Sequence, residues 1–413
     1  MNKKRSAFSG KIGYVLSAAG ASVGLGNIWR FPYLAAKYGG GIFLLVYIIL
    51  ALTFGYTMIV AESALGRMTR KSPVGAFRSF AKGKKVGWLS FGGWINAIIP
   101  VLIVPYYSVI GGWVVKYLFE YIRGNGSKLA EDGYFSGFIS NGGATEICFV
   151  IFCMFTLVII YAGVQNGIER VSKIMMPILI VLSVIIAIYS VTRPGAIEGV
   201  KYFLVPNVKN FSWMTVVAAM GQMFYSLSIA MGILVTFGSY MRKDTSIEDS
   251  TRNVEIFDTA IAMMAGLMII PAVFAFSGGD PDTLQAGPSL MFITIPKVLA
   301  NMGFGTAVGI LFFVLVLFAA VTSSIALTES AVSTFEDELG WGRKKATVLT
   351  GVIMIALGTL SCLGYGPLDF VKIIGMQFLD FFDFLTNSVM MPIAALMRSE
   401  ERRVGKECRS RWS

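Results

Sequence analysis

The chain contains no histidine, and this absence removes several chemistries at once. A serine–histidine triad, an imidazole proton relay and most transition-metal sites need that side chain. Cysteine is almost as scarce. Cys148, Cys153 and Cys362 lie in apolar stretches and Cys408 near the end, with no C-x-x-C pair, so neither a disulfide framework nor a zinc site is supported. Charge is the third shortage: 14% of the 413 residues are Asp, Glu, Lys or Arg, against about 25% in soluble domains. With 55% hydrophobic residues and a mean hydropathy of +0.69, the composition is that of a polytopic membrane protein. Without histidine, an intramembrane enzyme is the weakest reading.

A hydrocarbon core of about 30 Å takes about 20 apolar residues per helix. Ten stretches meet that length, at approximately 12–37, 41–66, 88–122, 146–163, 170–192, 213–240, 254–277, 305–334, 345–363 and 370–397, numbered as spans 1 to 10. Basic residues orient them. Lys3, Lys4 and Arg5 precede span 1, Arg67, Arg70, Lys71, Arg78, Lys82, Lys84 and Lys85 follow span 2, and smaller basic sets follow spans 4, 6 and 8. The positive-inside rule then places the N-terminus in the cytoplasm and the chain in the inner (plasma) membrane. The net charge of +11 is a topology signal and an attraction to anionic lipid, so nucleic acid is not an expected partner. No small-residue cleavage site follows a basic and apolar leader, and the N-terminus is read as uncleaved.

Span 1 is interrupted by its own residues. G-A-S-V-G-L-G-N-I-W-R-F-P, from Gly20 to Pro32, sets glycines, an asparagine and an arginine into an apolar run. Each glycine lowers helix propensity by about 1 kcal/mol relative to alanine. Backbone groups freed inside a bilayer must be packed in protein or line a polar cavity. Span 6 holds a second interruption, G-Q-M-F-Y-S-L-S-I-A-M-G from Gly221 to Gly232, with Ser226, Ser228 and Gly232 at mid-membrane depth. Glycine also serves close helix packing, and each break alone is open to that reading. Two breaks five spans apart point instead to a midplane site between inverted repeats, where helix N-termini face an anionic group and freed carbonyls face cations.

The W-R-F-P end of span 1, the G-G-G at Gly39 to Gly41, the G-Q-x-F-x-S-L-S element and the T-S-S at Thr322 to Ser324 resemble the neurotransmitter:sodium symporter family, in its bacterial amino-acid transporter branch. Order and spacing agree from Arg5 to about Leu396. The resemblance implies an all-α leucine-transporter fold in one transporter domain over 1–397, with a first inverted repeat at about 11–192, a second at about 213–397, and helices 1 and 6 broken. It implies sodium-coupled import of an amino acid by alternating access, with two sodium sites and one substrate site between the breaks. A channel or receptor on the same fold is the alternative, recognised by current without substrate or by binding without uptake.

Position by position, the resemblance implies a first sodium site on Ser22, Asn27, Ser226 and Asp258, completed by the substrate's own carboxylate. A shared carboxylate would couple ion and substrate reciprocally. The second sodium site would use carbonyls of Gly20, Val23 and Ala319 with the hydroxyls of Thr322 and Ser323, although such hydroxyls also bond back to their own helix. Asp258 stands where many relatives have asparagine. Its charge is expected to replace chloride, the plainer alternative being a solvated carboxylate. The substrate carboxylate is expected at the amides of Leu25 and Gly26 and the hydroxyl of Tyr107, and the ammonium at carbonyls of Ala21, Tyr225 and Ser226 and at Ser323, with Ser228 beside them. Val104, Gly111, Tyr225, Met231 and Leu327 would face the side chain, which favours a hydrophobic or aromatic amino acid. Ala21 and Ser22 depart from the asparagine and alanine of the leucine-selective relative.

Charge pairs are expected to gate the site: Arg30 with Asp383 outside, directly or through water, above a lid of Tyr107 and Tyr225, and Arg5 with Asp337 inside. Exposed pairs contribute only about 0.2–1 kcal/mol, which suits contacts that break in every cycle. Glu62 is expected to cap free amides of span 6. Residues 398–413, R-S-E-E-R-R-V-G-K-E-C-R-S-R-W-S, leave the apolar pattern and are expected to be a foreign or frame-shifted tail after a truncation. No oligomeric state follows from the sequence.

Overall fold

The computed structural model describes residues 6–81, 89–278 and 287–397. Arg5 of the expected inner gate and the 398–413 tail lie outside them. Among the described residues the elements are helices, and the only sheet-like pairings are two isolated bridges, Gly40 with Pro206 and Ile373 with Met376.

Among the described residues, eight helices are long and apolar enough to cross a membrane unbroken: Gly41–Thr69, Phe91–Ile122, Gly142–Ala162, Val164–Val191, Ile247–Ser277, Gly305–Glu338, Arg343–Leu363 and Phe378–Met397. They are spans 2 to 5 and 7 to 10. Spans 1 and 6 are the broken ones. Lys11–Ser22 ends at Val23, whose ψ of 95° leaves the helical region, and the chain rewinds through a wide π-helical turn, Gly26–Arg30, into Phe31–Lys37. Trp213–Ser226 opens with a reciprocal cap between Ser212 and Thr215, stops at Leu227, and resumes as Ile233–Tyr240. Span 10 starts at Phe378 rather than near 370. The preceding residues turn instead, with Ile374 and Gly375 both at positive φ.

Burial sorts the spans into a centre and a rim. Every residue of Ile233–Tyr240 is buried, as is each residue of span 8 from Ala319 to Thr334, so these two segments have no face left for lipid. Span 4 carries a stripe of exposed Ile147, Ile151, Phe155 and Val158 at helical spacing, the pattern of a helix half in lipid. The centre is also held by a buried ion pair. Arg343, at the start of span 9, meets Glu329 of span 8 through both terminal guanidinium nitrogens at 2.6 and 3.0 Å, and its Nε donates to the carbonyl of Ile160 at the end of span 4.

Candidate functional site

The unwound residues of spans 1 and 6 face each other across spans 3 and 8. A cavity of about 30 Å³ lies between them, lined by Ala21, Ser22, Gly24, Leu25, Gly26 and Asn27 of span 1, Ile103 and Tyr107 of span 3, Tyr225, Ser226, Ser228, Met231 and Ile233 of span 6, and Ser323 and Leu327 of span 8. The glycines are there for room rather than for unusual dihedrals. A methyl group on Gly24 would sit 2.7 Å from the Ser323 hydroxyl, and one on Gly26 would sit 2.3 Å from the Tyr225 ring. Span 6 is where the backbone itself is strained: Ser228, Ala230 and Gly232 take φ of 54°, 64° and 71°. Left-handed conformations cost non-glycine residues about 1–3 kcal/mol each and persist where the surroundings hold them.

Two contacts hold this strained turn. The Glu62 carboxylate of span 2 accepts the Ala230 N–H at 2.8 Å, and the Ser228 hydroxyl donates to the Ala21 carbonyl at 3.2 Å. At one side of the cavity, Asp258 is fully buried and accepts from Asn27 Nδ2 at 2.8 Å, from the Ser226 hydroxyl at 2.8 Å and from the Tyr47 hydroxyl at 3.2 Å. It is therefore not solvated. Ser22 lines the same cavity, but its hydroxyl turns back to the Ala18 carbonyl at 3.2 Å. At the other side, the Ser323 hydroxyl lies 3.3–3.4 Å from the carbonyl oxygens of Gly20, Ala21 and Val23. Thr322 instead bonds to the carbonyls of Phe318 and Ala319 on its own helix. These donors are hard oxygens, which fit a small monovalent cation.

Several expected positions fall elsewhere. Val104 and Gly111 do not line the cavity; a side chain at Gly111 would meet the ring of Phe152. On a helix, residues 103 and 107 share one face and residues 104 and 111 the next, so Ile103 takes the place expected of Val104. Arg30 and Asp383 form no ion pair within 4 Å. Arg30 lies over the Tyr225 ring at 4.9 Å, while Asp383 accepts from Tyr106 at 3.2 Å and Asn387 at 2.6 Å. Asp337 accepts the Ser72 N–H at 2.6 Å. Tyr47 and Gln222, whose amide donates to the Gly26 carbonyl at 3.2 Å, were given no role in the site: a tyrosine in an apolar run carries no spacing signal, and Gln222 stood in the G-Q-x-F-x-S-L-S element with no partner indicated for it. A larger groove of about 840 Å³ separates span 10 from spans 2 and 6, and its walls are mainly apolar, with Arg30, Glu62, Asn387 and Ser388 as the polar exceptions. The polar chemistry is in the small cavity.

The family model for the sodium:neurotransmitter symporter family matches residues 5–127 and 134–401. The chain belongs to this family. Among its relatives, an uncharacterized sodium-dependent transporter of Bacillus subtilis, YhdH, is 36% identical over 95% of this symporter-family chain and 86% of its own length. A second, from Haemophilus influenzae, is 33% identical over 96% and 88%. A crystal structure of MhsT in complex with L-phenylalanine superposes with a TM-score of 0.85, at 38% identity over 95% of this chain and 89% of that one. The fold is the leucine-transporter fold, and this symporter-family chain is a membrane transporter rather than an enzyme.

Proposed function

We propose that the protein imports a hydrophobic or aromatic amino acid together with sodium, by alternating access around the cavity between the two broken helices. The observation that carries this reading is the convergence, at and beside one small cavity, of the Leu25 amide with the Tyr107 hydroxyl at 3.3 Å, the carbonyls of Gly20, Ala21 and Val23 around the Ser323 hydroxyl, and the Asn27–Ser226–Asp258 cluster. Amides suit a carboxylate, carbonyls suit an ammonium or a cation, and the remaining wall of Ile103, Met231, Ile233 and Leu327 suits an apolar side chain.

In this reading Asn27, Ser226 and Asp258, with the Ser22 backbone, hold one sodium ion, and the carbonyls of Gly20, Val23 and Ala319 with Thr322 and Ser323 hold a second. Ions are cargo here and supply the positive charge that the substrate carboxylate meets. The Asp258 carboxylate supplies the negative charge beside the first ion, so chloride is not required. Tyr225, capped by Arg30, closes the outer side, and Asp383 stands beyond it. Asp337 belongs to the inner closure with Arg5. Basic loops after spans 2, 4, 6 and 8 support a cytoplasmic N-terminus in the inner membrane, and the repeats are assigned to about 11–192 and 213–397. Uptake of labelled L-phenylalanine and L-leucine into proteoliposomes under a sodium gradient tests the reading: accumulation with sodium and none with potassium supports it, and equal flux in both salts rejects it.

A further inference from the structure

Spans 4 and 9 lie side by side on the rim of the bundle. Gly351 lets them close up, since a methyl group there would sit 3.0 Å from Leu157 of span 4. Each helix shows the membrane an apolar stripe at helical spacing, Ile151, Phe155 and Val158 on span 4 and Val348 and Val352 on span 9, with exposures of 49–63%. Both stripes end at one point. Tyr161 closes the stripe of span 4, Lys344 stands one helical turn before Val348, and the Lys344 ammonium lies over the Tyr161 ring at 5.5 Å from its centroid. From Val352 back to Lys344 the helix rises about 12 Å, close to half of a hydrocarbon core of about 30 Å. The tyrosine and the ammonium therefore sit at headgroup depth, with the exposed Trp341 just before them.

Charge sets this corner apart from the rest of the basic end of the bundle. Elsewhere the cations are engaged: Arg67 and Arg70 donate to backbone carbonyls, and Arg78, Lys173, Arg242 and Arg343 pair with carboxylates. Lys344 and its neighbour Lys345 are exposed and have neither kind of partner among the described residues. We propose that this face binds an anionic phospholipid, its phosphodiester at Lys344 and Lys345 and its two acyl chains along the stripes of spans 4 and 9. An ammonium seated on an aromatic ring is held where the phosphate arrives, and two adjacent apolar stripes match two chains. A zwitterionic lipid offers the same chains but brings a cation of its own, so it gains less at the lysines. A second copy of the chain is the poorer occupant, because a two-fold contact through this face would gather four lysines into one interface.

The test incubates the purified full chain in micelles with equal amounts of phosphatidylglycerol and phosphatidylcholine of identical acyl chains, and counts the lipids that stay bound by native mass spectrometry. At about fivefold per lysine, the parent chain should favour phosphatidylglycerol at least tenfold, and Lys344→Gln with Lys345→Gln should bring the ratio to within about threefold of unity. Lys344→Arg should keep the preference. Tyr161→Leu removes the ring, leaves the stripe apolar, and should lower the preference about two- to fivefold. Lys243→Gln with Arg252→Gln removes two charges from the same end of the bundle, beside spans 6 and 7, and should leave the ratio within about twofold of the parent. Equal preference in the parent and in the Lys344/Lys345 variant would overturn the proposal, as would an equal loss in the Lys243/Arg252 control, which would mean attraction to net charge alone. A parent that dimerises in micelles free of added lipid, and is split by Val348→Asn, would also overturn it, since the face would then be a contact between copies. Binding is read without transport, so the outcome is independent of the cargo.

Discussion

Asp258→Asn is the substitution with the most to say about the ion site. The side chain keeps its size and loses its charge in a fully buried position where three side chains donate to it. A unit charge about 4 Å from a cation, at an effective dielectric of about 20, is worth about 4 kcal/mol. Sodium affinity should therefore fall by a hundredfold to a thousandfold, each tenfold step being about 1.4 kcal/mol. The loss should be partly repaired by chloride, because an anion beside Ser226 and Tyr47 restores the missing charge. The assay is a sodium titration of L-phenylalanine binding to purified protein, with chloride compared against gluconate. The parent chain should show the same sodium dependence in both anions, and Asp258→Asn should bind more tightly in chloride. A variant within threefold of the parent in gluconate, or a parent that needs chloride, would refute the reasoning.

Other substitutions probe separate links. Glu62→Gln replaces a carboxylate with a weaker acceptor for the Ala230 N–H and should lower stability by about 1–2 kcal/mol, read as a lower thermal unfolding midpoint, with Glu62→Ala lower still. Arg343→Met leaves the buried Glu329 carboxylate with the Tyr240 hydroxyl at 2.7 Å but no cation and should cost about 3–5 kcal/mol; adding Glu329→Gln should recover part of it, and a double variant no more stable than the single would contradict the account. Gly24→Ala places a methyl group 2.7 Å from the Ser323 hydroxyl, so uptake should fall more than tenfold while the protein still folds by circular dichroism. Met231→Ala enlarges the apolar wall and should shift preference about tenfold from leucine toward tryptophan in competition assays.

The fold was legible because a bilayer leaves few options: apolar runs of fixed length, and two runs whose glycines and polar residues cannot be an ordinary helix in lipid. The same glycines were harder to interpret. At Gly24 and Gly26 the structure shows that breaking the helix and allowing close approach are one device, since the broken backbone is pressed against Ser323 and Tyr225. Asp258 was conspicuous as a charge within apolar span 7, and Asn27 as an amide within the interrupted run of span 1. Tyr47, Ile103 and Gln222 were not, because their importance lies in which face of a packed helix they occupy. Arg30 and Asp383 are not in direct contact for a related reason: sequence gives complementary charges but not the competitors, here the Tyr225 ring for one and Tyr106 with Asn387 for the other.

The central claim, that sodium and an apolar amino acid share the cavity between the broken helices, is tested most directly by binding of labelled L-phenylalanine to the purified chain in sodium and in potassium, with Asn27→Ala alongside. The account predicts saturable binding in sodium alone and its loss in Asn27→Ala. Equal binding in potassium, or binding that survives the loss of Asn27, would contradict it.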